Sequence, residues 1–424
     1  MASAADHPRL KRRRVVVVGA GAVGMACALT LRRDGHDVVV LDPQQPGEGA
    51  SFGNAGIIAN CTVDPLGMPG IVSRVPGMLL DPMGPLSIRW RYLPRIAPWL
   101  MQLVAASRPA RVEAISCALA ALLGNAVEIW ADLVRGTQGE HYLTARGWIH
   151  GFETETAFAA MQPIIELRRR RGVRVEILGP HDLHDLEPAA APIFRRVVYL
   201  PDTAFVTSPV RLVRALADTF VAAGGRFAQV RATGFGEAAP GLHQVTTERE
   251  AYPCDRAVIA AGVWSRPLAA MLGSRVPLDT ERGYHVMLRT PEHPPRHPIS
   301  SGERKFVIVP MLDGIRITGG VELAGLHAPA NFTRIRRMVG HARRILPGLG
   351  RDIVSEWLGF RPSMPDSLPV IGRSPDRPWA LFAFGHGHVG LTAAASTARV
   401  IADLVAERPP SIDLQPFRPD RFRF

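Results

Sequence analysis

Gly19, Gly21 and Gly24 have the spacing in this chain that most directly implies chemistry. They form Gly-x-Gly-x-x-Gly immediately after the β-branched run 15–18 and at the start of an apolar, alanine-rich stretch. In such a turn Gly19 permits the tight bend, Gly21 lets the backbone approach a pyrophosphate, and Gly24 allows close packing of helix on strand. The helix start offers N–H groups and a positive dipole end to the anion. Asp42 closes the next valine-rich run, where a carboxylate would accept hydrogen bonds from an adenosine ribose. The pattern predicts a dinucleotide site. It does not by itself separate NAD from FAD, although its position near residue 1 favours FAD.

Four distant segments extend the pattern. They are residues 49–56 (Gly-Ala-Ser-Phe-Gly-Asn-Ala-Gly), 258–265 (Val-Ile-Ala-Ala-Gly-Val-Trp-Ser), 359–372 (beginning Gly-Phe-Arg-Pro) and 385–392 (Gly-His-Gly-His-Val-Gly-Leu-Thr). In type and order they resemble the FAD-dependent amino-acid oxidase superfamily, the group of D-amino-acid, glycine and sarcosine oxidases. The Ser-x-x-Asn-Ala-Gly segment and residues 281–285 (Glu-Arg-Gly-Tyr-His) are most similar to its bacterial D-amino-acid dehydrogenase branch.

The resemblance implies an FAD site that also uses Ser51, Asn54, Ala55 and Gly56, the backbone of Val230 at the adenine, and Gly262 and Trp264 at a strand end. It further implies Gly387, His388, Val389, Gly390, Leu391 and Thr392 at the pyrimidine edge of the flavin. A helix starting near Leu391 would aim its positive end there and favour the reduced state. Arg361 is implied to bind a substrate carboxylate, for which a planar guanidinium is suited. Tyr284 would donate to the same carboxylate, and His285 and His386 would line the pocket. Some sarcosine-oxidase relatives carry a flavin-linking cysteine about where Gly359 stands here, so the expected FAD is non-covalent.

These residues need elements to hold them. A strand over 15–18, a helix over 21–34 and a strand over 38–41 open the chain as a βαβ unit. Helices are expected over 94–106, 110–135, 152–171, 209–223, 334–345 and 391–406. Residues 183–191 read as a turn region, 226–230 and 253–261 as strands, and 280–321 as an antiparallel sheet. The fold class is α/β of mixed α+β character: a Rossmann-type FAD-binding domain with an inserted antiparallel-sheet substrate domain. Residues 1–85, 150–270 and 340–424 are assigned to the first, and 86–149 and 271–339 to the second. Residues 1–10 read as a loose tail.

Composition narrows the rest. The 424 residues are 47% hydrophobic and 21% charged, which excludes a mainly disordered chain. The four cysteines lie far apart in no metal-binding pattern, so neither a metal nor a disulfide framework is expected. The basic run 11–14 before an apolar stretch imitates a secretory signal, but the glycine fingerprint inside it reads as strand and helix. Net charge is +12, and all but Lys11 and Lys305 of the 50 basic residues are Arg. Residues 89–101 mix Arg, Trp and aliphatics as a membrane-surface segment would. The expectation is a cytoplasmic enzyme, with residues 89–101 either a peripheral contact on the cytoplasmic side of the inner membrane or a packed helix of the second domain. It would oxidise D-amino acids to 2-oxo acids and ammonia by hydride transfer to flavin. Electrons would pass to a quinone or an electron-transfer protein, with no nucleic acid as partner. Secondary-amine substrates (D-hydroxyproline, D-proline, sarcosine or glycine) and a tRNA-modifying flavoprotein are the alternatives.

Overall fold

Residues 11–81 and 84–422 are described by the computed structural model, and the expected tail over residues 1–10 lies outside them. Two large sheets face each other. The first has six strands in the order Arg226–Gln229, Asp37–Asp42, Arg14–Val18, Arg256–Ile259, Ala380–Phe384, Val370–Arg373. The first five run parallel and the last is antiparallel. Val15 to Val18 are at most 4% exposed, as expected for a strand covered on both faces. Helix Ala22–Arg33 packs against the last helix, Gly390–Val405. Small residues on both (Ala26 and Ala28 against a run of Ala393, Ala394, Ala395 and Ala398) permit that close approach. A three-stranded antiparallel ribbon over 232–254 is inserted before the central strand Arg256–Ile259.

The second sheet has nine strands. Along its path run Ile353–Ser363, Asp279–Leu288, Gly314–Leu323, Phe306–Met311, Ile299–Ser301, Trp148–Phe152, Arg196–Leu200 and Glu176–Leu178, with Leu86–Ile88 pairing beside Gly314–Leu323. Alternation sorts its two faces. Tyr284, Val286, Leu288, Ile315 and Ile317 pack with Ile335, Met338 and Ala342 of helix Thr333–Ile345. The opposite face is turned toward the nucleotide layer. On it Glu281, Gly283 and His285 lie directly across from Arg361, Gly359 and Trp357.

Several expectations change. Residues 110–135 form two helices, Pro109–Leu123 and Ala126–Val134, broken at Gly124 and Asn125. They belong to the core of the nucleotide layer and not to 86–149 of a substrate domain, because Leu119, Leu122 and Trp130 pack there. Trp130 Nε1 also donates to the Leu391 carbonyl at 2.8 Å. The helix expected over 152–171 is instead the end of strand Trp148–Phe152 followed by helices Glu155–Ala159 and Gln162–Arg170. Thr154 interrupts it by capping: its hydroxyl accepts from Ala157 N at 3.2 Å. Strands within 148–200 and 353–363 thus join the substrate sheet, so the expected boundaries at 150 and 340 do not hold. The turn region 183–191 begins inside helix Pro180–Leu186, whose Asp182 carboxylate accepts from Gly179 N. The strand expected over 253–261 is two strands split at Asp255, which turns to accept from Arg14 N at 2.7 Å.

Candidate active site

The cofactor-binding candidates collect at one edge of the parallel sheet. Gly19 follows Arg14–Val18, Asp42 ends the second strand, Val230 follows Arg226–Gln229, Gly262 follows Arg256–Ile259, and Gly387 follows Ala380–Phe384. All five stand at carboxyl ends of parallel strands, where open α/β sheets bind ligands. Gly19 takes φ +113°, and a Cβ on Gly24 would lie 1.9 Å from the Gly19 carbonyl oxygen, so the helix meets the strand with no room for a side chain. Asp42 braces the turn: Oδ2 accepts from Ala20 N and Oδ1 from Gln44 N, both at 2.8 Å. Burial pushes its carboxyl up, and those backbone donors oppose the shift.

Two helix starts converge on this edge. Helix Ala22–Arg33 has no acidic residue in its first turn, and Ser51 Oγ accepts from Ala22 N at 3.0 Å. Helix Gly390–Val405 likewise has no side-chain cap and no acidic first-turn residue. Thr392 Oγ1 accepts from Ala59 N at 3.0 Å and donates to the Ile57 carbonyl, clamping the segment after Gly56 onto that helix. Asn54 Oδ1 accepts from Gly56 N at 2.7 Å, which holds the 51–56 loop in shape. Trp264 is 45% exposed and meets Phe360 edge-on across the cleft.

The facing sheet supplies charge. Arg361 extends over Gly283, where a Cβ would come within 2.4 Å of its guanidinium carbon, and donates to the Gly320 carbonyl at 3.2 Å. Among the described residues it makes no ion pair. Burial lowers its pKa, with Glu281 opposing. Trp357 lies over Gly359 and Gly53 in the same manner. His285 stacks on Trp357 at 5.3 Å, and its Nδ1 lies 3.2 Å from the Gly53 carbonyl. Burial, then Arg316, pushes His285 down to about 3, so it is a neutral donor to that carbonyl. Arg316 donates to the Asn54 carbonyl, and burial lowers it to about 10. Together His285 and Arg316 pin the 51–56 loop to the sheet.

Not every expected residue reaches this face. Tyr284 points the other way, into the core under helix Thr333–Ile345. Its hydroxyl donates to Glu322 Oε2 at 2.5 Å, and burial with that bond raises it to about 12. It is therefore not placed to share a ligand with Arg361, because successive strand residues alternate faces. His386 is also turned inward: Nε2 meets Thr397 Oγ1 at 3.0 Å, and burial lowers it to about 3. His388 instead faces the sheet, with Nε2 2.5 Å from Glu281 Oε2. Glu281, Gly283, Arg316 and Trp357 are site residues that motif reading passed over. All ten residues of Asp279–Leu288 are buried, so no local alternation in the sequence marks the first two.

The cleft fits a flavin dinucleotide on two observations: the side-chain-free approach at Gly19 and Gly24, and two helix starts without acidic residues meeting at one sheet edge. Comparison with known proteins agrees. A family model described as FAD dependent oxidoreductase matches residues 14–404. A D-amino-acid oxidase of Bradyrhizobium diazoefficiens is 39% identical over 97% of this chain and 99% of its own length. A D-amino acid dehydrogenase of Paramagnetospirillum magneticum is 30% identical over 96% and 99%. The crystal structure of glycine oxidase from Geobacillus kaustophilus superposes with TM-score 0.74 at 22% identity, covering 97% of this chain and 100% of that one. L-proline dehydrogenase from P. horikoshii gives TM-score 0.74 at 17% identity, covering 97% and 98%.

Proposed function

Because the chain belongs to the FAD-dependent oxidoreductase family, we propose that it oxidises small D-amino acids to 2-oxo acids and ammonia. The observation that carries this is Arg361: a half-buried guanidinium without a carboxylate partner among the described residues, facing the edge where the two helix starts meet. A cation partly withdrawn from water in that state gains from an arriving anion. A substrate carboxylate supplies it through paired N–H bonds. The names of the relatives point to D-amino acids as the substrate class.

In this reading Gly19, Gly21, Gly24, Asp42, Val230 and Gly262 hold the adenosine and pyrophosphate end of FAD. Ser51, Asn54, Ala55, Gly56 and residues 387–392 hold the flavin. Bound FAD supplies a two-electron acceptor. The protein's own work is orientation: Arg361 fixes the carboxylate, which leaves the Cα–H bond one placement, and the Trp357 ring stacked on His285 keeps water from that side. The imino product hydrolyses in water. The FAD is non-covalent, since the Trp357 ring fills the space beside Gly359; acid precipitation should release it into solution. Electrons pass on to a quinone or an electron-transfer protein.

The decisive experiment is anaerobic bleaching of the flavin with a panel of D-amino acids, proline analogues, sarcosine and glycine. Fastest bleaching by a D-amino acid supports the reading, and bleaching by secondary amines alone would replace it. Arg361→Ala should raise KM by about a hundredfold or more with flavin retained, as expected for loss of a charged, buried contact.

A cytoplasmic, membrane-peripheral location is part of the proposal. Trp90 and Met101 are 71% and 66% exposed beside Arg91 and Arg95, whereas Trp99 is buried and donates to the Ser363 carbonyl. Salt-sensitive flotation with anionic vesicles is expected; no binding at low salt would reject it.

A further inference from the structure

We propose that Glu281 and His388 form the amine half of the substrate site, the carboxylate receiving the ammonium group and the imidazole passing its proton to solvent. This rests on the reading above, in which Arg361 receives the substrate carboxylate. Glu281 is 1% exposed and lies directly across from Arg361 on the facing strand. Its Oε2 is held by His388, while Oε1 has no hydrogen-bond partner among the described residues. The Ser363 hydroxyl is adjacent but outside hydrogen-bond geometry. Arg361 does not satisfy it either, since the guanidinium is turned over Gly283 toward Gly320. A buried carboxylate oxygen left without a donor is destabilising, because it has lost water and gained no partner. A ligand bearing N–H donors removes that cost.

The two charges match one ligand class. Adjacent strands lie about 4.8 Å apart, and an α-amino acid carries its opposite charges on one carbon. A zwitterion can therefore meet Arg361 and Glu281 together. A 2-hydroxy acid could offer one O–H donor to Glu281 but no positive charge to match it. Burial pushes the Glu281 carboxyl up, but His388 and Arg361 outweigh it and hold the group below its usual range. Further along the same strand stands Asp279, which accepts from the Tyr92 hydroxyl and lies 3.8 Å from Arg266. Glu322 and Arg282 are engaged around Tyr284 instead.

An ammonium nitrogen has no lone pair with which to expel a hydride. In the proposed step His388 first releases a proton to water; one N–H bond of the ammonium then breaks, its electron pair stays on nitrogen, and the proton moves to the vacated Glu281–His388 pair. The His388 side chain is 41% exposed and passes that proton to water. The Cα–H bond can then break with both electrons leaving as hydride to bound FAD, while the nitrogen lone pair becomes the second bond of a protonated imine.

The test uses the FAD-loaded enzyme, the D-amino acid that bleaches it fastest, and propionate, which has a carboxylate but no amine. At neutral pH Glu281→Gln should weaken amino-acid binding about ten- to a hundredfold. Binding should recover at alkaline pH, where the free substrate amine is neutral. Propionate, followed by the flavin spectral shift, should bind at least as tightly as in the wild type, because a negative charge has left the neighbourhood of Arg361. His388→Asn, at an exposed position, should keep amino-acid affinity, slow flavin reduction at neutral pH, and regain rate in imidazole buffer. An unchanged pH profile in Glu281→Gln, or propionate weakened in parallel with substrate, overturns the proposal while the function stands. A wild-type flavin that no amine reduces overturns both.

Discussion

Arg361 and Trp357 owe their positions to residues that have no side chain. The guanidinium occupies the space above Gly283, and the indole occupies the space above Gly359 and Gly53. Gly283→Ala would place a Cβ 2.4 Å from the guanidinium carbon, but that is the far end of a flexible side chain. The expected result is a tenfold or greater rise in KM, with FAD content and melting temperature little changed; steady-state kinetics and absorbance would read both. Gly24→Ala is a different case, because its Cβ would meet the Gly19 carbonyl oxygen at 1.9 Å and backbone cannot swing aside. That variant should purify without flavin. The glycine fingerprint was legible in the sequence because its meaning is local: turn, approach and packing all fall within six residues. The pairing of Glu281 with Arg361 was not, because register between strands so far apart in sequence exists only in the folded sheet. Tyr284 was misread for the same reason: its neighbour Gly283 faces the site, so Tyr284 faces away.

Among the elements, those written in short-range periodicity matched expectation closely: strand Arg14–Val18, helix Pro209–Ala222 and the antiparallel block from Asp279 onward. The failures lie where one side-chain hydrogen bond decides. Thr154 starts a new helix inside an apparently continuous one, and Asp255 divides one strand into two. Helix Gln162–Arg170 shows how one buried ion pair ties a helix to the segment following Ile57–Ile58, a strand of a separate three-stranded sheet. Its Arg168, 5% exposed at the side chain, pairs with Asp64 at 3.0 Å in the segment that follows Ile57–Ile58. Asp64→Asn would leave that guanidinium buried without its counter-charge and should cost about 3 kcal/mol, read as a lower denaturant midpoint. By contrast, Arg418→Ala, which breaks the pair that the exposed Arg418 makes with Asp420, should leave the denaturant midpoint nearly unchanged.

At the scale of the whole molecule, the net charge of +12 is not spread as bare cations, since arginines recur in forked pairs such as Arg336 with Glu356. Acid sensitivity should come from histidine instead. Burial holds His285 and His386 at about 3, and His150 is pushed in the same direction. Below about pH 6.5 the unfolded chain binds protons that the native state refuses, so stability must fall as pH falls. Each such residue removes about 1.4 kcal/mol per pH unit until its native pKa is reached. Melting temperature should therefore drop steeply between pH 7 and 5; a flat profile would contradict the buried, neutral assignment. The interleaving of the two sheets also has a consequence for synthesis. The valine-rich first strand pairs early with Asp37–Asp42 on one side, but its other neighbour, Arg256–Ile259, follows only after Asp255, 241 residues after Arg14, has left the ribosome. At 5–20 residues per second that is a delay of roughly 10–50 s, and the helix that completes the flavin edge comes later still. A nascent chain of this protein therefore spends more than half of translation with one edge of that apolar strand unpaired, and chaperone binding to ribosome-bound chains should fall once residue 259 has emerged.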